Sequence, residues 1–224
     1  MLQLREKEIF ETLKKISRFD FVIIGGYAAN AYALPRFSVD CDIVVKARIK
    51  EMERILESDG YRLEDSGRQT LPYSGHFLRY EKIIEKDFKV SMDILVKEIL
   101  DRQTNSVFSA EWVFTNSSLR LFKGKTITEE LKLRIIGIDA LIAMKFISCR
   151  NTDIRDIFML MPSSKDKGWI KQEISSRCSF EDRFSKVKAK ITSAKFKDDL
   201  QGVYGFVNES VFEKHKKAVL RLFP

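Results

Sequence analysis

The stretch that decides the fold spans residues 21–45 and reads FVIIGGYAANAYALPRFSVDCDIVV. A short apolar run ends in Gly25-Gly26, an alanine-rich segment follows, and Asp40-Cys41-Asp42 leads into Ile43-Val44-Val45. Because side chains alternate along a strand, the two aspartates are expected on one face, roughly 7 Å apart. Carboxylates that close repel one another, and a divalent metal ion is the usual reason for them to coexist.

A third carboxylate is expected beside this pair. Asp93 lies within the apolar run 89–96, where an unpaired charge is costly to bury. If this strand pairs with the strand of Asp40 and Asp42, three carboxylates meet and can hold two Mg²⁺ ions about 4 Å apart. The alternative is that Asp93 points to solvent from an edge strand. The order and spacing of the whole pattern favour the metal site.

Residues flanking the aspartates have chemistry suited to phosphate. Gly25 and Gly26 are interpreted as a turn before a helix, whose backbone N–H groups could cradle the β- and γ-phosphates of a nucleotide. Arg36 and Ser38 shortly precede the aspartates and could also touch phosphate. In the structural alternatives, the two glycines are only a strand-to-helix turn, Arg36 forms a surface ion pair, and Ser38 is a turn residue.

Hydrophobic periodicity predicts an α+β fold, because strands dominate the first part of the chain and helices the second. An α/β domain is expected over residues 1–136 and a helical domain over 137–224. In the α/β domain, the pattern predicts helices at 2–18, 27–34 and 49–58 and strands at 20–24, 40–45 and 61–63. It also predicts a hairpin formed by 76–84 and 88–96, with its turn at 85–87. Short strands are expected within 107–136, separated by turns at 116–118 and 123–124. In the helical domain, the pattern predicts helices at 138–149, 154–161, 169–176, 180–191 and 211–222.

Composition narrows the possible environments and partners. The chain has 224 residues and a net charge of +8, and residues 163–224 hold 14 Lys and Arg against 8 Asp and Glu. This basic region suits a polyanion such as RNA, although a solvated lysine-rich surface is the alternative. Three dispersed cysteines argue for a reducing, cytoplasmic setting and against a disulfide framework or zinc site. No transmembrane stretch or signal peptide is expected.

A second group of charged residues follows in the helical part. Lys145 is surrounded in sequence by apolar residues, so it either extends to the surface or meets an anion, and the former is the commoner behaviour of lysine. Arg150, Arg155 and Asp156 fall near the junction of two predicted helices. They could form a structural ion pair there or act directly in catalysis.

Together these motifs resemble the AbiEii-like nucleotidyltransferases, within the superfamily that includes DNA polymerase beta. The likeness covers roughly residues 20–160 and rests on the Gly-Gly helix, Arg-x-Ser-x-Asp-x-Asp, a strand aspartate and the later lysine and aspartate. It implies that Lys145 binds triphosphate or orients the nucleophile. Asp156 would position Lys145 or other polar groups of the site, and Arg150 occupies a recurring basic position. Cys41 departs from the family, which usually has an apolar residue between the aspartates.

The resemblance implies a Mg²⁺-dependent enzyme that moves a nucleotide from an NTP to an acceptor hydroxyl. The expected acceptor is an RNA 3′ end, most readily of tRNA, as in AbiE- and MenA-type toxins, which imply a partner antitoxin protein. One alternative is AMP transfer to a partner protein, and another is a non-catalytic module that binds NTP or RNA. Transfer to a cationic small molecule suits the basic chain poorly.

Overall fold

The computed structural model describes residues 1–64, 76–86, 88–129 and 131–222, and its architecture is α+β, as the sequence predicts. The chain divides into two compact units. The first unit comprises Met1–Ala31, Phe37–Leu100 and Phe108–Ile136. The second unit comprises Tyr32–Arg36, Asp101–Val107 and Gly137–Pro224.

The first unit is built on a seven-stranded mixed sheet in the order β3-β4-β5-β2-β1-β9-β8, and β6 and β7 pair separately. The strands are β1 (Val22–Ile23), β2 (Asp40–Val45), β3 (Arg62–Leu63), β4 (His76–Glu85), β5 (Phe88–Val96), β6 (Glu98–Asp101), β7 (Ser106–Ser109), β8 (Ser117–Phe122) and β9 (Leu131–Ile136). The helices of this unit are α1 (Leu2–Ile16), α2 (Gly25–Asn30), α3 (Lys50–Ser58) and α4 (Ala110–Thr115).

The position of β2 in the sheet determines where its aspartates lie. β2 is antiparallel to β1 on one side and parallel to β5 on the other, and its apolar end, Ile43–Val45, is buried. The predicted hairpin is confirmed, because β4 and β5 are antiparallel neighbours. Its turn was predicted at 85–87, of which residue 87 lies outside the described residues.

Several local predictions were wrong. Gly25 and Gly26 form the first turn of α2 rather than a turn before it, and this helix ends at Asn30 instead of continuing to Leu34. The predicted turn at 116–118 is instead the end of α4 at Asn116 and the start of β8. The side chain of Ser109 accepts a hydrogen bond from the backbone N–H of Trp112, an N-cap that favours a helix where only strands were predicted.

The second unit is helical. Its helices are α5 (Ile138–Ser148), α6 (Asn151–Leu160), α7 (Lys167–Ser175), α8 (Phe180–Ile191), α9 (Phe196–Tyr204) and α10 (Glu209–Leu220), and a 3₁₀ turn, Met161–Ser163, follows α6. α5 is buried around most of its circumference and contacts α6, α7 and α8. The helix α9 was absent from the sequence prediction. Within the described ranges, no helix combines the length and apolar character that crossing a bilayer requires.

Candidate metal centre

The two aspartates of β2 share one face of the strand. Asp40 and Asp42 are half-buried, whereas Cys41 between them is fully buried on the opposite face. Burial, followed by the charges of the nearby aspartates, raises the pKa of the Cys41 thiol well above its usual range. Cys41 is therefore a neutral core residue, and its polarity matters little to the carboxylates on either side.

The structure brings the third predicted carboxylate to the same place. Because β5 runs parallel to β2, Asp93 lies directly opposite Asp42 in the sheet. Asp40, Asp42 and Asp93 each offer a carboxylate oxygen, and these oxygens all lie within 4.8 Å of one another. Asp93 is buried and the other two are partly accessible, so the cluster is anchored in the sheet yet reachable from solvent.

Gly25 allows the backbone to pass close to this cluster. Its φ is +65°, and a Cβ placed there would lie 2.0 Å from Oδ2 of Asp42. The N–H of Ile24 also donates a 3.0 Å hydrogen bond to the carbonyl of Asp42. Any larger residue at position 25 would meet both steric overlap and backbone strain, so the glycine is required by the position of Asp42.

Arg79 is a functional candidate that the sequence analysis missed. It lies on β4 opposite Asp93, and its Nε and Nη2 donate hydrogen bonds of 2.8 and 2.6 Å to the two oxygens of Asp93. Nη2 is also 4.0 Å from Oδ2 of Asp40. Burial raises the pKa of Asp93 more than the pairing with Arg79 lowers it. One guanidinium thus compensates part of the negative charge of the cluster.

The donor set fits a divalent metal ion. Three carboxylates on two adjacent strands supply only hard oxygen ligands, which Mg²⁺ and Mn²⁺ prefer over histidine- or thiolate-rich sites. The backbone beside Asp42 is open only because residue 25 lacks a Cβ. Ser38, which was predicted to touch phosphate, is buried in the same unit.

The other predicted site residues form a buried charged cluster within the second unit. Arg36 donates hydrogen bonds of 2.8 and 2.7 Å from Nε and Nη2 to the two oxygens of Asp156. Lys145 Nζ lies 2.7 Å from Asp156 and 3.1 Å from Asp153. Tyr204 Oη lies 3.4 Å from the same carboxylate. Asp156 therefore organises two cations and a phenol.

The electrostatics of this cluster follow from its burial. Burial acts to raise the pKa of Asp156, but Lys145 and Arg36 outweigh it and hold the pKa at about 2. Burial lowers the pKa of Lys145, and the charges of Asp156 and Asp153 more than reverse the effect. The side chain of Lys145 is 7% exposed, so of the two alternatives for this lysine the structure shows the one in which it meets an anion.

Arg150 does not join this cluster through its side chain in any contact among the described residues. It is exposed at the N-cap of α6, and its backbone N–H donates a 3.2 Å hydrogen bond to Asp153. Asp153, which the sequence analysis did not select, also accepts a hydrogen bond from Ser148. The ion pairs that join the α5–α6 junction therefore use Lys145, Asp153 and Asp156.

The chain has counterparts among solved structures. It matches JHP933 from Helicobacter pylori over 99% of its own length and 91% of that chain, with 15% identity and a TM-score of 0.51. The chain shares the fold of JHP933. No family model matches the chain, and no curated protein matches its sequence significantly.

Two further structures align with lower scores. One is an H. pylori protein provisionally named a nucleotidyltransferase, with 16% identity, coverage of 99% of this chain and 94% of that chain, and a TM-score of 0.49. The other is ANT(2″)-Ia in complex with adenylyl-2″-tobramycin, with 16% identity, coverage of 82% and 98%, and a TM-score of 0.47.

Proposed function

We propose that the chain is a Mg²⁺-dependent nucleotidyltransferase of the AbiEii-like type, which transfers NMP from an NTP to an acceptor hydroxyl. The observation that carries the proposal is the cluster of Asp40, Asp42 and Asp93, whose carboxylate oxygens lie within 4.8 Å of one another beside Gly25. Arg79 compensates only part of the charge of these three carboxylates, and the repulsion that remains supports a divalent metal ion and a metal-dependent reaction on a phosphate substrate.

In the proposed reaction the acceptor hydroxyl attacks the α-phosphorus of the NTP. A new oxygen–phosphorus bond forms, the bond from the α-phosphorus to its bridging oxygen breaks, and pyrophosphate leaves. We assign Asp40 and Asp42 as ligands of both metal ions, and Asp93 as a ligand and as the base that takes the hydroxyl proton. Bound Mg²⁺ would supply neutralisation of the triphosphate and activation of the hydroxyl.

The roles of Lys145, Arg150 and Asp156 follow from the resemblance, and those of Gly25, Gly26, Arg36 and Ser38 from their chemistry. The backbone N–H groups of Gly25 and Gly26 are assigned to the triphosphate, with Ser38 nearby in sequence. Lys145, Arg36 and Arg150 are the cations assigned to phosphate groups, and Asp156 positions the first two. The bonds from Asp156 to Arg36 and Lys145 support the positioning role, because they fix both cations within the second unit.

We propose RNA as the acceptor, with the 3′ end of tRNA as the first candidate, in the context of a toxin with a cognate antitoxin. The excess of six positive charges over residues 163–224 supports a polyanionic acceptor, whereas the tRNA end, the toxin role and the antitoxin follow from the resemblance alone. The same carboxylate cluster could serve AMP transfer to a protein, or bind NTP without catalysis, and these alternatives predict different products.

The test is incubation of the purified protein with total tRNA, Mg²⁺ and each labelled NTP in turn, beside the Asp40→Ala/Asp42→Ala variant. Label on RNA that falls at least about 100-fold in the variant is the expected result. Label on a protein band instead would replace the RNA acceptor by a protein. Absence of any transfer by a folded protein that binds Mg²⁺–NTP would overturn the enzymatic proposal in favour of a binding module.

A further inference from the structure

A groove of about 580 Å³ lies on the second unit, remote in sequence from the carboxylate cluster. It is lined by the 3₁₀ turn after α6, the start of α7 and one side of α10. The charged residues of its lining are Lys167, Lys214, Lys217, Arg221 and Glu213. Four cations thus face one carboxylate, which leaves a groove with a surplus of positive charge.

Three of these cations form a row along α10. Lys214, Lys217 and Arg221 recur at intervals of three and four residues, which places them on one side of the helix. With a rise of 1.5 Å per residue, the row extends about 10 Å along the axis. All three residues are exposed. A row of this length suits an extended polyanion better than a single small anion, because it can meet more than one phosphate.

The charge of the row is not neutralised by its neighbours. Glu213 lies 3.6 Å from Lys216, which is not part of the lining. Within the described part of the chain, no carboxylate lies within ion-pair distance of Lys214, Lys217 or Arg221. Several other basic residues of this unit are paired, for example Lys190 with Asp199 at 2.7 Å. The groove therefore concentrates cations that lack an internal counter-charge.

Lys167, at the start of α7, contacts the helix that carries this row. Its ammonium donates a 2.9 Å hydrogen bond to the carbonyl of Ala218, which lies on α10. Burial, together with the nearby charge of Arg221, lowers the pKa of Lys167. The protein thus holds a partly buried cation against another cation, and an anion bound in the groove would stabilise both.

We infer that this groove binds the sugar–phosphate backbone of RNA. The inference rests on the proposed function for the choice of RNA over other polyanions, and it makes the groove the surface that holds the acceptor. Contacts to phosphate position a nucleic acid without reading its bases, so binding here is sequence-independent and strongly dependent on salt.

The test is fluorescence anisotropy of a labelled single-stranded RNA with the full chain, at several salt concentrations and without NTP. The Lys214→Ala/Lys217→Ala/Arg221→Ala variant is expected to bind at least about tenfold more weakly. Its slope of log K against log salt should fall by about 2, because each phosphate contact on a single strand contributes about 0.7. An unchanged affinity and slope would overturn the inference.

A matched control removes the same charge elsewhere in this unit. Lys186, Lys188 and Lys195 are exposed but do not line the groove. The Lys186→Ala/Lys188→Ala/Lys195→Ala variant is expected to lose clearly less affinity than the groove variant. Equal losses from the two variants would mean that RNA follows net charge alone, which contradicts a defined site.

A gain-of-function variant separates binding from misfolding. Glu213→Gln removes the carboxylate of the groove and is expected to tighten RNA binding several-fold, which an unfolded protein would not do. Polyglutamate at equal charge concentration should compete poorly, and equal competition would overturn the choice of RNA. The groove variant should still bind Mg²⁺–NTP. Asp40→Ala/Asp42→Ala should still bind RNA, so failure of catalysis and failure of the groove give different results.

Discussion

The guanidinium of Arg79 donates hydrogen bonds of 2.8 and 2.6 Å to the two carboxylate oxygens of Asp93, and its Nη2 lies 4.0 Å from Oδ2 of Asp40. A cation of the protein thus occupies part of the coordination capacity of the carboxylates that we assign to the metal. Asp93 cannot offer the same lone pairs to Arg79 and to Mg²⁺ at once. We therefore expect Arg79 to limit repulsion when no metal is bound and to leave only the remaining lone pairs of Asp93 for a metal ion.

Replacing Arg79 by alanine should separate these two effects. Without metal, Arg79→Ala should lower the free energy of unfolding by about 1–3 kcal/mol, because a buried carboxylate loses its charged hydrogen bonds. With Mg²⁺, the variant should show tighter metal binding and a larger rise in Tm than the parent protein. Thermal unfolding in EDTA and across a Mg²⁺ titration measures both quantities. Weaker Mg²⁺ binding by the variant would show that Arg79 supports the metal site instead.

Arg48 provides the matched control for this experiment. It makes a similar two-bond pair with Glu53, with distances of 2.6 and 2.7 Å, outside the carboxylate cluster. Arg48→Ala should therefore lower stability without changing the response of Tm to Mg²⁺. A change in that response would indicate that the metal effect is not local to Arg79.

The carboxylate cluster should have opposite effects on stability with and without metal. In Asp40→Asn/Asp42→Asn, repulsion among three carboxylates is reduced, so the Tm in EDTA should be equal to or above that of the parent protein. The rise in Tm on addition of Mg²⁺ or Mn²⁺ should disappear, because the ligands are gone. A variant that keeps a metal-dependent rise in Tm would place the metal site elsewhere.

Gly25 should tolerate no side chain. Gly25→Ala adds a Cβ 2.0 Å from Oδ2 of Asp42 at a φ of +65°, so we expect a loss of about 1–3 kcal/mol in unfolding free energy and weaker Mg²⁺ binding. Gly202 in α9 is the control, since a Cβ there has nothing within 4 Å. Gly202→Ala should stabilise the protein by about 0.5–1 kcal/mol through helix propensity. Chemical denaturation of both variants gives the comparison.

The sequence was enough to predict where the three aspartates meet, but not Arg79. Alternation along β2 and the apolar run around Asp93 are local signals, and parallel pairing of two apolar strands joins them. The partner of Asp93 across the hairpin depends on register, and the pairing shifts between Ile83 and Glu85. A shift of one residue exchanges the faces of a strand, so Arg79 could be placed only once this irregularity was known.

Of the partners of Lys145, only Asp156 was named from the sequence, through the resemblance; Asp153 and the pairing of Arg36 with Asp156 were missed. Lys145 forms ion pairs with Asp153 and Asp156 on the next helix. Asp156 also accepts hydrogen bonds from Arg36, which lies 120 residues earlier in the chain. Such contacts depend on how helices pack, which the spacing of residues does not specify. An apolar sequence around a lysine was correctly read as unusual, and the choice between surface and buried anion required the structure.

The low pKa of Asp156 gives a prediction about stability at acid pH. The pKa is about 2 in the folded protein, below the ordinary value of 3.8 expected on unfolding. The ionised form therefore stabilises the fold above about pH 4, and this contribution, about 2 kcal/mol, should be lost as the pH falls towards 2.

Asp156→Asn cannot titrate, so its unfolding free energy should fall less steeply in this window. Asp199→Asn, which removes a half-buried ion pair with Lys190, should change the parent profile less than Asp156→Asn does. Parallel profiles for the parent protein and Asp156→Asn, measured by urea unfolding at each pH, would contradict a strongly ionised Asp156 at the centre of the cluster.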